Sequence, residues 1–379
     1  MLVESEFSAA GLERTSIPTP ALIVDLAVLE RNIAVMAEFA TRSQVSLRPH
    51  AKSHKCVEIA RRQIAAGAVG ISCATLDEMA AMVVDRVPGL LLTTPIAGDA
   101  KLAHLGRLLH QDSSVTVVAD DPAGVAELGA LAAAVPTRIK VLIDVDVGQR
   151  RTGCRTATAA VELARQINAT PGLEFCGVQA YAGHIQHIVG RAARRAAATA
   201  VADQIRTVCA SLRSAALEPR IVTGAGTGTT EMDATLGVFT ELQPGSYVFM
   251  DVDYLRVEGL AVDYSPSLFV DTTVVSTLWE DHVTTDAGTK AFALNGPPPV
   301  PATAEQGWIY SYDGDEFGRI SLGPYSRRPD RGERLALIVS HCDPTVVLYP
   351  GYVCVRDNRI EGYWPIAVRR TPTLPTQRR

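Results

Sequence analysis

From about residue 19 to residue 255, short β-branched runs alternate with alanine-rich stretches whose apolar residues recur at three- and four-residue intervals. This alternation constrains the chain more than any other feature, because strands and helices in strict turn assemble as βα units around a parallel sheet. The runs ALIVD (21–25), SLRPH (46–50), VGISCAT (69–75), LLLTT (90–94), VTVVAD (115–120), KVLIDVD (140–146), FCGVQAY (175–181), RIVTGAG (220–226) and ELQPGSYV (241–248) give nine predicted strands. A closed (β/α)8 TIM-like barrel needs eight, so one is expected to lie outside it. Stretches such as DLAVLERNIAVMAEFA and PAGVAELGALAAAV have the period of helices on a barrel exterior. Beyond about residue 255 the texture changes. SLFVDTTVVSTLW, HVTTDAG, WIYSYDG, RISLG, ERLALIVSH, VVLYPGYVCVRD and RIEGYWPIAV are strand-like and joined by glycine, proline and aspartate turns, which predicts a separate, mainly antiparallel C-terminal β domain. The segment at 296–307, GPPPVPATAEQG, reads as a proline-stiffened surface loop, and TPTLPTQRR at 371–379 as a frayed basic tail.

Composition narrows the class. With 379 residues, 47% of them apolar, disorder is excluded as the dominant state. No apolar run reaches the roughly 18 residues that a membrane-spanning helix needs, and the opening MLVESEFSAAGLERTSIP carries acids where a secretion signal would carry bases. A soluble, unprocessed, cytoplasmic protein is expected. The net charge of −5 gives no broad cationic surface for nucleic acid. Seven cysteines, an odd number with no CxxC spacing, suit buried thiols in a reducing compartment better than a disulfide framework.

Four segments carry side chains suited to chemistry. In RPHAKSHK (48–55) a strand runs into a helix, which places its polar groups at the strand's C-terminal mouth, where barrel active sites lie. A lysine desolvated against the barrel wall is partly neutral and can form a Schiff base with an aldehyde cofactor; Lys52 is the candidate, and a basic surface turn is the competing reading. Lys55 and His54 are expected to be solvated or cap-adjacent. In TGAGTGT (223–229) glycines let backbone amides approach a phosphate, with the Thr227 and Thr229 hydroxyls as further donors. The loop is neither a Walker motif nor a GxGxxG fingerprint, and a plain glycine turn competes. Ser246 and Tyr247 end the last barrel strand nearby. DVDVGQRR (144–151) and QAYAGHIQH (179–187) bring an arginine, a tyrosine and histidines to the same mouth, the groups needed to hold a polar ring and move protons. In SHCDPT (340–345), a continuing strand would put His341 and Asp343 on one face and Cys342 on the other, forming a two-residue metal clamp for manganese, magnesium or zinc, with an incidental structural pair as the competing reading. Asp313, Asp315 and Glu316 could add acids, although a charged hairpin turn explains them equally.

Together, TPALIVDL, RPHAKSHK, VDVGQRRTG, QAYAGHIQH, TGAGTGT, TELQPGSYVFMD and SHCDPT occur in an order that resembles the D-threonine aldolase and D-serine dehydratase family of fold-type III, alanine-racemase-like pyridoxal-phosphate enzymes. The resemblance covers nearly the whole chain. It implies a barrel over 26–255 that begins at SLRPH, with ALIVD leading in from a β domain made of 1–25 and 256–379, and a homodimer with shared active sites. It also implies pyridoxal 5′-phosphate on Lys52, with His50, Arg151 and Tyr181 beside the cofactor. Thr223, Gly224, Gly226, Thr227 and Gly228 would hold the phosphate, with Ser246 and Tyr247 next to them. His341 and Asp343 match the metal ligands, and His187 a histidine near the substrate hydroxyl.

Within that family the expected reaction is metal-dependent retro-aldol cleavage of a β-hydroxy-D-amino acid to glycine and an aldehyde. Dehydration to an oxo acid and ammonia is the nearest alternative; a non-catalytic cofactor carrier and racemisation rank lower. The dehydratase branch has an HxC zinc site, so aspartate at position 343 favours the aldolase. Two departures stand out. Phe317 sits in DEFG where related aldolases often carry DEHG, and YAGHIQH replaces the YHGSxQH form.

Overall fold

The computed structural model of the chain describes residues 9–112, 114–260, 262–303 and 307–367. Nine strands occupy the positions anticipated for them. They are β1 (Ala21–Asp25), β2 (Ser46–Leu47), β3 (Ser72–Cys73), β4 (Leu91–Leu92), β5 (Thr116–Ala119), β6 (Ile139–Asp144), β7 (Leu173–Ala180), β8 (Ile221–Gly224) and β9 (Glu241–Leu242). Eight of them, β2 to β9, form one parallel sheet in the order β2-β9-β8-β7-β6-β5-β4-β3. A parallel bridge between His50 and Ser72 joins its two ends into a ring. The amides of Ser72 and Val69 support that seam by donating to the carbonyls of Pro49 and Leu47, each at 2.8 Å.

Helices α1 (Leu26–Arg42), α2 (Val57–Ala65), α3 (Leu76–Val84), α4 (Asp99–Gln111), α5 (Pro122–Ala132), α6 (Ala157–Ala169), α7 (Arg191–Ser214) and α8 (Thr230–Leu236) alternate with the strands. Several start immediately at a capping side chain. Asp25, Thr75, Asp121 and Thr156 accept hydrogen bonds from the amides of Val28, Glu78, Gly124 and Ala159, satisfying donors that a helix leaves unpaired at its start. Strand side chains divide between two faces, as their two-residue period requires. Val117 and Ala119 join the large core under the helices, whereas Leu91, Val118, Leu142 and Cys176 form a separate buried cluster inside the ring.

The surplus strand is β1. It lies in a second sheet, antiparallel to β10 (Leu268–Ser276) and parallel to β16 (Gly351–Arg356). The path of that sheet runs through β13 (Ile309–Tyr312), β14 (Gly318–Ser321), β11 (His282–Thr285), β10, β1, β16 and β17 (Arg359–Pro365). Off this path, β15 (Arg334–Ile338) pairs with β10 and with β12 (Val300–Pro301). The turn residues Asp313, Asp315 and Glu316 sit in the β13–β14 hairpin, paired with Arg319 and Lys290, so the hairpin reading of these acids holds. All seven cysteines are free and buried. Among the described residues no helix is long and apolar enough to cross a membrane. The 371–379 tail lies outside the described residues.

One local expectation fails. The strand before SHCDPT does not continue through it: β15 stops at Ile338 and, after three residues, a short helix, α10 (Cys342–Val346), begins. His341 and Asp343 are therefore related by the turn into a helix and not by strand alternation.

Arg48, the first base of RPHAKSHK, turns to Glu241. Its Nε and Nη2 donate to the two carboxylate oxygens at 2.8 and 2.7 Å, and Nη1 donates to the carbonyl of Gly89. Both side chains are about nine-tenths buried, at 11% and 10% exposure, so the pair ties β2 to β9 and to the turn before β4 in a low-dielectric setting. Removing one partner of such a pair strands the other charge and costs about 3–5 kcal/mol, whereas removing both is far milder. Arg48→Met is thus expected to lower the chemical-denaturation midpoint sharply, and Arg48→Met combined with Glu241→Leu to recover most of it.

Candidate active site

A cavity of about 540 Å³ opens at the C-terminal mouth of the ring, within the size range of small-molecule and cofactor sites. His50, Lys52, Arg151, Tyr181, His187, Ser246 and His341 line it, so residues from separate motifs converge on one space.

His50 follows β2 and makes the bridge to Ser72. Its Nδ1 accepts the amide of Lys52 at 3.3 Å and its Nε2 lies 3.1 Å from the Thr93 hydroxyl, which fixes the proton on Nε2. Burial, followed by the charge of Lys52, holds its pKa well below the ordinary histidine value, so the ring is neutral. The backbone then turns through Ala51–Ser53 and aims Lys52 into the cavity. There the ammonium pairs with Asp343.

This pairing corrects the expectation of a partly neutral lysine. Burial presses the amine towards neutrality, but the charge of Asp343, that of Tyr181 and the hydrogen bond to Asp343 outweigh it, and the lysine's pKa is raised. Asp343 is affected in the opposite sense. Burial would raise its pKa, yet Lys52 and His341 hold the carboxyl well below its usual range. The neighbouring bases of RPHAKSHK are not solvated. His54 is fully buried, accepts the Cys56 amide on Nδ1 and has its pKa pushed down to about 3 by desolvation, while Lys55 pairs with Glu78.

The TGAGTGT loop is held tightly from one side. A Cβ on Gly224 would overlap the carbonyl oxygen of Ala180, and one on Gly228 that of Gln186, so glycine is needed at both for close approach. The Gln186 side chain spans the loop: Oε1 accepts the Gly228 amide at 3.1 Å, and Nε2 donates to the Ala182 carbonyl at 3.1 Å and to the Thr229 hydroxyl at 3.0 Å. Thr227 Oγ1 accepts the Tyr247 amide at 3.1 Å. Tyr247 turns its phenol away, to a hydrogen bond from Gln63 at 2.9 Å, so only its backbone is near the loop. The buried amides of Gly226, Thr227 and Gly245 have no protein acceptor among the described residues. Buried orphan N–H groups are rare, and a cluster of them beside Ser246 suits an anion.

Across the cavity, the Arg151 guanidinium lies 5.9 Å from the centre of the Tyr181 ring. Gln179 donates to the Thr93 carbonyl at 2.8 Å and to Asp144 at 2.9 Å, leaving its own buried Oε1 unpartnered in the cavity wall. At the metal-clamp segment, His341 Nδ1 is 3.0 Å from Asn295 Nδ2, and the Cys342 amide donates to Asp251 at 2.7 Å. The Cys342 thiol is fully buried. Among the described residues no three His, Cys, Asp or Glu side chains converge as a closed metal cage. A cation here would have two protein ligands and an otherwise open shell.

A family model described as "Alanine racemase, N-terminal domain" matches residues 24–253, and one described as "Putative serine dehydratase domain" matches 267–355. The chain is 39% identical over 355 residues to a D-threonine aldolase of Arthrobacter sp., covering 93% of each protein. It is 34% identical over 367 residues to a 3-hydroxy-D-aspartate aldolase of Paracoccus denitrificans (strain Pd 1222), covering 95% of this chain and 94% of the relative. The crystal structure of a D-threonine aldolase from Filomicrobium marinum matches with a TM-score of 0.92 at 36% identity, over 95% of this chain and 97% of that one. The chain belongs to the D-threonine aldolase and D-serine dehydratase family.

As a member of that family it has the alanine-racemase fold and is a pyridoxal-phosphate-dependent lyase. Several residues of this family member's cavity escaped the sequence reading. Thr93 and Tyr254 line it with no chemical motif of their own; Gln179 lines it and Gln186 braces the glycine loop, and both stand in QAYAGHIQH, where the tyrosine and histidines drew the attention.

Behind the glycine loop, in α8, Asp233 is buried and accepts a hydrogen bond from Thr229. Desolvation raises its pKa from 3.8 to about 7, against the opposing pull of that bond. The native state therefore keeps a proton that the unfolded chain releases at lower pH. The contribution of this group to stability falls as pH rises from about 4 to about 7 and then levels off, by an amount on the order of 4 kcal/mol, opposite in sign to that of buried His50 and His54 over the same range. The stability of the wild type relative to Asp233→Asn, measured as the difference in denaturation midpoint, should fall across that range.

Proposed function

We propose that the protein cleaves a β-hydroxy-D-amino acid of the D-threonine kind to glycine and an aldehyde, using pyridoxal 5′-phosphate and a divalent metal ion. The observation that carries this reading is the meeting of Lys52, His187 and the His341–Asp343 segment at one cavity. D-configuration enters from the relatives alone, and the family likewise supplies the cofactor.

Lys52 would hold the cofactor's aldehyde carbon. The orphan amides of Gly226, Thr227 and Gly245, with Ser246 beside them, would bind its phosphate, and Gln186 would keep that loop in place. His50, Arg151, Tyr181 and Gln179 would border the ring. When bound, pyridoxal phosphate supplies an electron sink for the pair released by the breaking Cα–Cβ bond. His341 and Asp343 would hold the metal, an imidazole–carboxylate set suited to manganese, magnesium or zinc, where it acidifies the substrate β-hydroxyl. His187 would take the proton of that hydroxyl. Aspartate at 343, in place of the thiolate of an HxC site, favours aldol cleavage over dehydration. The same reading includes a homodimer whose second copy completes the cavity mouth. Exposed Trp279 in the β10–β11 turn, Ile309 in β13 and Phe317 in the β13–β14 turn, at 61%, 66% and 49%, support it as apolar area that association would cover.

Incubation with D-threonine or D-phenylserine should yield glycine and the matching aldehyde; ammonia and an oxo acid would establish the dehydratase alternative instead. EDTA should abolish turnover and a divalent cation restore it. Asp343→Ala should keep the visible cofactor band while losing at least about 10²-fold in kcat; full activity in this variant would remove the metal from the reaction. Gln186→Ala should weaken pyridoxal phosphate, measured by fluorescence titration, by at least about tenfold while leaving phosphate-free pyridoxal nearly unaffected.

A further inference from the structure

His187 is held from two sides by consecutive residues of a single turn of helix, α9 (Val252–Leu255). Its Nδ1 lies 3.3 Å from Asp253 Oδ2, and its ring packs on Tyr254 with centroids 4.4 Å apart at 43°. The helix is itself referenced to the His341–Asp343 segment. Asp251 caps it through the Tyr254 amide at 3.1 Å and, with its other oxygen, accepts the Cys342 amide. The amides of Val252 and Asp253 donate to the carbonyls of Val339 and Ser340 at 3.0 and 3.2 Å. The chain after His187 is also fixed, since buried Arg194 donates to the carbonyls of Ile188, Val189 and Glu258.

A carboxylate carries no proton and attracts one, so at this ion-pair distance it favours the neutral imidazole tautomer with the proton on the nitrogen that faces it. With Nδ1 protonated, the lone pair is on Nε2, the nitrogen available to the cavity that His187 lines. We infer that Asp253 is a positioning residue that sets this tautomer and orientation, making His187 Nε2 the proton acceptor. The inference rests on the reading of His187 as the base. In the step it serves, the β-hydroxyl proton passes to Nε2, the O–H electron pair becomes the second C–O bond of the aldehyde, and the Cα–Cβ pair stays on Cα, to be protonated in glycine. The imidazolium formed then lies against the Asp253 carboxylate, which stabilises it. Asn at 253 would offer an amide N–H to Nδ1 and favour the opposite tautomer.

The test is a double-mutant cycle on the cofactor-loaded, metal-loaded enzyme with D-phenylserine, comparing wild type, Asp253→Asn, His187→Ala and the double variant. Asp253→Asn should lower kcat by about 10²-fold or more, leaving KM within about threefold and the visible cofactor band intact. In the His187→Ala background it should change kcat by less than about twofold, because the group it positions is gone. Asp253→Glu should restore part of the loss. Full kcat in Asp253→Asn alongside an inactive His187→Ala would overturn the role of Asp253 alone, as would an equal loss in both backgrounds. Full kcat in His187→Ala would overturn the base assignment and this inference with it. A second measurement needs no turnover: 15N shifts of the His187 ring should show a protonated Nδ1 and an unprotonated Nε2, and the reverse pattern would contradict the assignment.

Discussion

The contact between Lys52 and Asp343 joins the two parts of the chain at the cavity. Lys52 follows the first barrel strand, and Asp343 lies in α10, after a strand of the second sheet. The Asp343 side chain is only 16% exposed, and a buried carboxylate without a counter-ion costs several kcal/mol; Lys52, 36% exposed on the cavity, supplies that counter-ion. Each therefore fixes the other's ionisation, the amine upward and the carboxyl downward. The two parts consequently do not each own a site. The ring supplies most of the cavity's lining and the segment before α10 adds His341, while the Lys52 ammonium and the Asp343 carboxylate satisfy one another.

Around that contact the molecule is braced by short, buried connections and not by long elements. Gln186 spans the glycine loop, the four residues of α9 lie against both His187 and the approach to His341, and Asp251 binds the helix to the Cys342 amide. Such supports act on geometry. A proton acceptor or a phosphate donor that is misplaced by an ångström loses much of its effect, so buried hydrogen bonds behind the cavity matter as much as the groups facing it.

The barrel was legible because its information is local. Two-residue and 3.6-residue periods can be counted along the chain, and capping residues such as Asp25 and Thr156 mark where one gives way to the other. The surplus strand followed from arithmetic and the resemblance assigned it to the β domain, while its place between β10 and β16 rests on distant pairing that no local pattern carries. The site was legible as a set of residue types at strand ends but not as a set of contacts. Strand alternation paired His341 with Asp343 for a reason that fails, since the strand ends at Ile338. The charge state of Lys52 depends on a carboxylate 291 positions away, which desolvation reasoning on the local octapeptide could not include. Tyr247 belonged to the right loop, yet its phenol is turned to Gln63, a partner 184 positions distant.

The central claim is that the amine of Lys52, at the barrel mouth and opposite Asp343, is the one that captures the aldehyde of pyridoxal phosphate. Reduction of the loaded enzyme with borohydride fixes the cofactor covalently to whichever lysine holds it, and peptide mass mapping then locates it. The account predicts one stoichiometric pyridoxyl group on Lys52. The same group on Lys55 or Lys290, or scattered substoichiometric labelling of several lysines, would contradict it.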